Sequence, residues 1–184
     1  NKTKFIRPRP GKARMYPETD ITLVIIENNR ISRLKSELPE PYHKQIDNFK
    51  NKYNITSNFI LFVGRFNKVK GIDVLLHAIK ILKDKPELRD VSFVIMGVNF
   101  GFQEEMFSMI NRLDIKEKIL VIKNPSREDV IAAYKESEFL VLPSRWELSP
   151  LTPLEGFAFK KPVISTNVHG IPSTITNKEN GILV

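Results

Sequence analysis

From Asn58 onward the chain alternates between short apolar runs and longer stretches that are apolar on one face only. Phe59-Ile60-Leu61-Phe62-Val63 is apolar at every position, as expected of a strand covered on both sides. After Gly64, residues Ile72, Leu75, Leu76, Ile79 and Leu82 recur at steps of 3, 1, 3 and 3, which is one face of an α-helix. The rhythm continues with strands predicted over 91–96, 119–122, 139–142, 162–166 and 182–184. Helices are predicted over 103–113, from Ser126 onward, and over 152–159. Ser126, with Asp129 three residues on, forms a weaker relative of the capping box.

Fully apolar strands alternating with amphipathic helices predict an α/β fold, a doubly wound parallel sheet of Rossmann-like type. Right-handed crossovers bring every strand's carboxyl end to one edge, and open sheets bind ligands along that edge. The loops that matter are therefore 64–70, 97–101, 123–125, 143–152 and 167–172. Upstream the rhythm is lost. Ile21-Thr22-Leu23-Val24-Ile25-Ile26 is a strand candidate ended by Asn28 and Asn29, and the polar stretch 42–53 suits a surface helix. The expected organisation is a basic arm and interdomain linker over 1–57 and one ligand-binding domain over 58–184. The chain opens on Asn1 and closes on Gly181-Ile182-Leu183-Val184 as a strand begins, so both ends are expected to be cut from a longer polypeptide.

Composition narrows the function. The 184 residues are 41% apolar and 27% charged, the balance of a globular domain with a packed core. The apolar runs are too short to span a bilayer, and no secretory signal follows the first residues. There is no cysteine, which excludes disulfide frameworks and thiolate metal sites. The net charge is +8, and Lys2, Lys4, Arg7, Arg9, Lys12 and Arg14 supply six of those charges before any acidic residue appears. That run predicts a solvated arm. Its rival readings are peripheral contact with an anionic membrane surface and a nucleic-acid arm. No nucleic acid is expected, because the rest of the chain is nearly balanced and carries no aromatic-basic stripe. The expected location is cytoplasmic, peripheral to a membrane if the arm meets one.

Two loops carry the chemistry. In Gly64-Arg65-Phe66-Asn67-Lys68-Val69-Lys70-Gly71, Gly64 permits a sharp turn, Arg65 can grip phosphate oxygens bidentately and Lys70 can act as a point charge. The order is wrong for a nucleoside-triphosphate P-loop, where Gly-Lys precedes Ser or Thr. In the loop from Pro143 to Glu155, Thr152 fits a helix N-cap, Pro153 the first helical position and Glu155 the third. Free N–H groups there would attract a phosphate. Glu155 could instead complete a capping box with Thr152. Glu147, beside Trp146 at the ligand edge, does not serve packing and is a candidate ligand contact.

The seven-residue spacing between Glu147 and Glu155, the preceding Pro143-Ser144, and Gly64-Arg65 with Lys70-Gly71 resemble one family. It is the large retaining glycosyltransferase family 4, of GT-B architecture, and the resemblance runs from about Asn58 to Val184. It implies the carboxyl-terminal, donor-binding half of a two-domain enzyme that transfers a sugar from a nucleotide diphosphate with retention of configuration. By position it implies that Arg65 and Lys70, with Gly64, hold the diphosphate and that N–H groups of Leu151 and Thr152 cap its distal phosphate. Glu147 would face the transferred sugar and Glu155 the ribose hydroxyls. Lys123 and Asn124 match the family's base-binding loop more loosely. His169-Gly170-Ile171-Pro172 resembles a Gly-Gly-x-Pro turn in which His169 replaces the first glycine, and Ser149-Pro150 departs from the usual Phe-Gly. His169 and Ser149 are therefore possible base or sugar contacts. No Asp-x-Asp motif occurs, so neither metal nor other cofactor is expected, and the two cations with the helix terminus would neutralise the leaving diphosphate. The expected partners are a nucleotide sugar and an amino-terminal acceptor domain not contained in this chain. The alternatives are a non-catalytic nucleotide-sugar sensor and a basic nucleic-acid-binding module.

Overall fold

A computed structural model of the chain describes residues 27–37 and 49–184. The basic arm, the expected strand over 21–26 and most of the expected helix over 42–53 lie outside the described residues. The chain divides into two compact units, residues 1–40 and 41–184.

In the first unit, Asn28–Ser36 forms helix α1, where the sequence reading expected only the end of a strand and a linker. The double asparagine that looked like a strand terminator opens a helix instead. Glu27 stands extended as its N-cap, and Arg33 and Lys35 place positive charge in the last turn, where the helix dipole favours it. Arg33 pairs with Glu37 at 3.4 Å. None of the nine residues is buried.

The second unit is the expected layered sheet. Its strands are Asn58–Val63 (β1), Val91–Gly97 (β2), Ile119–Lys123 (β3), Leu140–Leu142 (β4), Val163–Ser165 (β5) and Gly181–Leu183 (β6). The main helices are Ile72–Leu82 (α2), Gln103–Arg112 (α3), Arg127–Glu136 (α4) and Leu151–Ala158 (α5). Every pairing is parallel, in the order β3-β2-β1-β4-β5-β6. That order reverses between β1 and β4, and the carboxyl ends of those two strands therefore flank a crevice.

Strand alternation divides the core. Along β1, Phe59 and Leu61 point to one face and join Ala132, Ala133 and Tyr134 of α4. Ile60 and Phe62 point to the other and join Leu75, Leu76 and Ile79 of α2. Both faces being covered is what makes the strands apolar throughout, each such side chain contributing about 1.5–3 kcal/mol. Residues 49–53, the described end of the expected polar surface helix, are helical but not wholly on the surface. Phe49 is 2% exposed and packs in the core with Phe59. Lys52 and Tyr53 donate to Asp129 Oδ2 at 2.7 and 3.0 Å. Asp129 also completes the capping box, its N–H donating to Ser126 Oγ at 3.1 Å. Burial pushes the Asp129 carboxyl up, but the hydrogen bonds from Lys52, Tyr53 and Ser126 outweigh it and hold the group below the usual carboxylate range.

Phe49→Ala should therefore cost about 3–5 kcal/mol, read as a lower midpoint in urea unfolding. An unchanged midpoint would place Phe49 outside the cooperative unit.

Candidate active site

The crevice at the sheet's reversal is built from the loop after β1 and the loop after β4. In the first, Gly64 N–H donates to Met96 O at 3.0 Å and keeps the turn against β2. Phe66 is fully buried and bridges Asn99 in the loop after β2. Asn67 then caps the single 3₁₀ turn Lys68–Lys70, its Oδ1 accepting from Lys70 N–H at 3.0 Å. Gly71 follows in the left-handed region at φ +65. A Cβ there would lie 1.9 Å from Pro143 O, so only glycine lets the start of α2 touch the second loop.

In the second loop, Glu147 is nearly buried and Ser144 fully so. Glu147 Oε1 accepts from Lys70 Nζ at 2.5 Å and from Ser144 Oγ at 2.7 Å. Both bonds fall on the same oxygen, and Oε2 has no protein donor among the described residues. The structure thus brings Lys70 and Glu147, 77 residues apart in sequence, into direct contact. Arg145 stitches the same loops from outside. Its guanidinium grips both carboxylate oxygens of Asp73 at 2.7 Å and donates to Lys68 O, while its N–H donates to Val69 O at 2.8 Å. Those hydrogen bonds hold the Asp73 carboxyl below its usual range. Sequence reasoning gave Arg145 no role, because Asp73 lies on an ordinary first helical turn and nothing local ties the two.

The loop after β5 closes on the Glu147 segment. Gly170 N–H donates to Glu147 O at 2.8 Å, and a Cβ on Gly170 would lie 1.7 Å from Leu148 O. His169 adopts φ +45, the conformation that a glycine would take freely, and its ring meets Trp146 edge-on at 6.0 Å. For a residue with a side chain that backbone costs about 1–2 kcal/mol.

Helix α5 starts one residue earlier than expected. Pro150 is its extended N-cap, Thr152 is its second residue rather than the cap, and Pro153 is its third. The first-turn rule for proline is broader than the position assigned from sequence, since none of the first N–H groups has an intrahelical partner. Pro150 has no side-chain acceptor, and no protein group among the described residues bonds the N–H of Leu151 or Thr152. Glu155 does not complete a capping box with Thr152. It accepts from the Tyr134 hydroxyl at 2.6 Å.

The remaining candidates stand apart from this cluster. Arg65 is exposed and stacks its guanidinium on the Phe100 ring at 5.1 Å. Lys123 lies 6.0 Å from the centre of the Phe107 ring. Asn124, at φ +48, donates its N–H to Gly97 O, and Ser149 is exposed. Among the described residues no group of three His, Asp or Glu side chains could hold a metal ion, and no helix is long and apolar enough to cross a membrane.

A six-stranded parallel sheet in this order is the doubly wound, Rossmann-like α/β arrangement, and the family and structural likenesses make it the donor-binding domain of the GT-B glycosyltransferase fold. The chain belongs to the glycosyl transferases group 1 family, whose model matches residues 43–184. It is 27% identical over 172 residues to a D-inositol 3-phosphate glycosyltransferase of Corynebacterium efficiens, covering 91% of this chain and 38% of that protein. It is 35% identical over 127 residues to a glycosyltransferase of Methanocaldococcus jannaschii, covering 68% of this chain and 33% of that one. The chain thus spans about a third of the length of these curated relatives. The crystal structure of a glycosyltransferase from Rickettsia africae superposes with a TM-score of 0.67 at 27% identity, over 81% of this chain and 38% of that one. The C-terminal domain of a glycosyl transferase group 1 protein from Francisella tularensis shares the fold with a TM-score of 0.64 at 24% identity, over 79% and 75% of the two chains.

Gly170→Ala should lower stability by about 1–3 kcal/mol and displace the Glu147 segment, seen as a lower melting temperature. An alanine variant that melts with the parent would mean the turn does not bear on that segment.

Proposed function

We propose that the chain is the donor-binding half of a retaining glycosyltransferase that takes a sugar from a nucleoside diphosphate. The observation that carries this reading is the contact of Lys70 with Glu147 at the sheet's reversal, beside a helix whose first N–H groups are unbonded. The lysine ammonium has three donors, so it can hold Glu147 and a diphosphate oxygen together. Arg65, on an exposed and flexible stem, would leave Phe100 for the diphosphate, and the Leu151 and Thr152 N–H groups would meet its distal phosphate. As the bond between the anomeric carbon and the bridging oxygen breaks, charge builds on the departing diphosphate. These preorganised donors stabilise it there. Glu147, with Oε1 held by Lys70 and Ser144, presents Oε2 to the sugar. Glu155 binds the ribose hydroxyls. Lys123, Asn124, His169 and Ser149 are the contacts left for base and sugar.

The acceptor would come from a second domain across the crevice, so the chain alone is expected to bind nucleotide without transferring sugar. Release of nucleoside diphosphate dependent on an added acceptor, by the isolated chain, would contradict that division of labour.

A thermal-shift and calorimetric screen against UDP, GDP, ADP and their sugars tests the reading directly. One base should stabilise the fold, by about 2.7 kcal/mol at a hundredfold excess over its dissociation constant. Lys70→Ala should abolish that shift and, in a protein that transfers sugar, slow turnover by about 10²–10³. If the alanine variant binds as the parent does, the diphosphate assignment is wrong.

A further inference from the structure

Glu155 is held by a group that the sequence does not single out. Tyr134, near the end of α4, is 2% exposed, and its ring stacks on Phe159 with centroids 5.7 Å apart and planes 3° apart. That stack fixes where the hydroxyl can be. The hydroxyl donates to Glu155 Oε2 at 2.6 Å, across 21 residues of sequence and from one helix to the next. Glu155 itself is exposed on α5, and its Oε1 has no protein donor among the described residues. Burial, and then the neighbouring Glu155 carboxylate, push the Tyr134 phenol far above its ordinary range. The hydroxyl therefore remains a donor throughout the pH range of any binding measurement.

An exposed glutamate ordinarily samples many rotamers. Here one oxygen is pinned by a rigid, buried donor and the other is left to the solvent side. A carboxylate oxygen accepts only, and a vicinal diol offers two O–H donors. We propose that Tyr134 is a positioning residue that fixes Oε2 of Glu155 so that Oε1 faces the ribose hydroxyls of the donor nucleoside. This assignment rests on the donor reading above and adds to it the element that sets ribose recognition.

The test is calorimetry on the 184-residue chain with whichever of UDP, GDP and ADP binds best, against its 2′,3′-dideoxy counterpart. The parent should prefer the ribonucleotide, and Glu155→Ala should erase that preference. Tyr134→Phe, which keeps the ring stack, should weaken the ribonucleotide by on the order of fivefold. It should leave the dideoxy nucleotide unchanged and add nothing to Glu155→Ala. Equal weakening of both nucleotides, or an added loss in the double variant, would make Tyr134 a packing residue and overturn the proposal. So would a Tyr134→Phe protein that keeps the parent's preference while Glu155→Ala loses it. If Glu155→Ala keeps the preference, the ribose role of Glu155 fails and the proposal fails with it. If no nucleotide binds the parent, the fault lies earlier, in the donor reading itself.

Discussion

The contact between the Lys70 ammonium and Glu147 Oε1 exists because the strand order reverses between β1 and β4. Neighbouring strands that send their crossovers to opposite faces leave their carboxyl ends uncovered, and loops from both sides must fill the gap. A charged pair there is shielded from solvent, its two side chains being 15% and 11% exposed. An ion taken out of water must be met by matched partners, or the desolvation cost dominates. Ser144 supplies the extra donor, and Arg145 with Asp73 holds the two loops at the required separation. The rest of the crevice is arranged around that pair.

Most of the layered domain could be read from apolar periodicity. The helix through Ile72, Leu75, Leu76, Ile79 and Leu82 spans those residues, and the first four are buried while Leu82, at its end, is half-buried. The strands fall within a residue or so of the apolar runs, because strands covered on both faces are apolar at nearly every position. The failures have physical causes. Helix α1 buries nothing, so it leaves no apolar stripe to detect. Among the described residues of the polar stretch Phe49 alone is buried, and one apolar position makes no periodic pattern.

The site was partly legible for a different reason. Lys70 and Glu147 each sit where a strand ends and a ligand edge begins, so their types suggested a phosphate grip and a ligand contact, and only the family resemblance implied the sugar. Their mutual hydrogen bond could not be inferred, since neither residue carries a local sign of the other. Arg145 and Tyr134 were missed entirely. Each acts through a partner on another element, Asp73 in one case and Glu155 in the other, and long-range pairing leaves no trace in local spacing. Thr152 was misplaced by two positions, from cap to second helical residue, because proline is tolerated anywhere in a first helical turn, not only at its head.

Two glycines bracket the Glu147 loop. The space where Gly71 lacks a side chain is taken by Pro143 O, and the space beside Gly170 by Leu148 O. The loop is thus gripped at both ends by what those residues omit. Neither glycine can change alone during divergence without pushing the loop out of place. The positions open to substitution without that penalty are the exposed ones within the bracket, Trp146 and Leu148, and Ser149 just beyond it. A frame that cannot drift, carrying side chains that can, allows the surface of the loop to be remade without rebuilding its backbone.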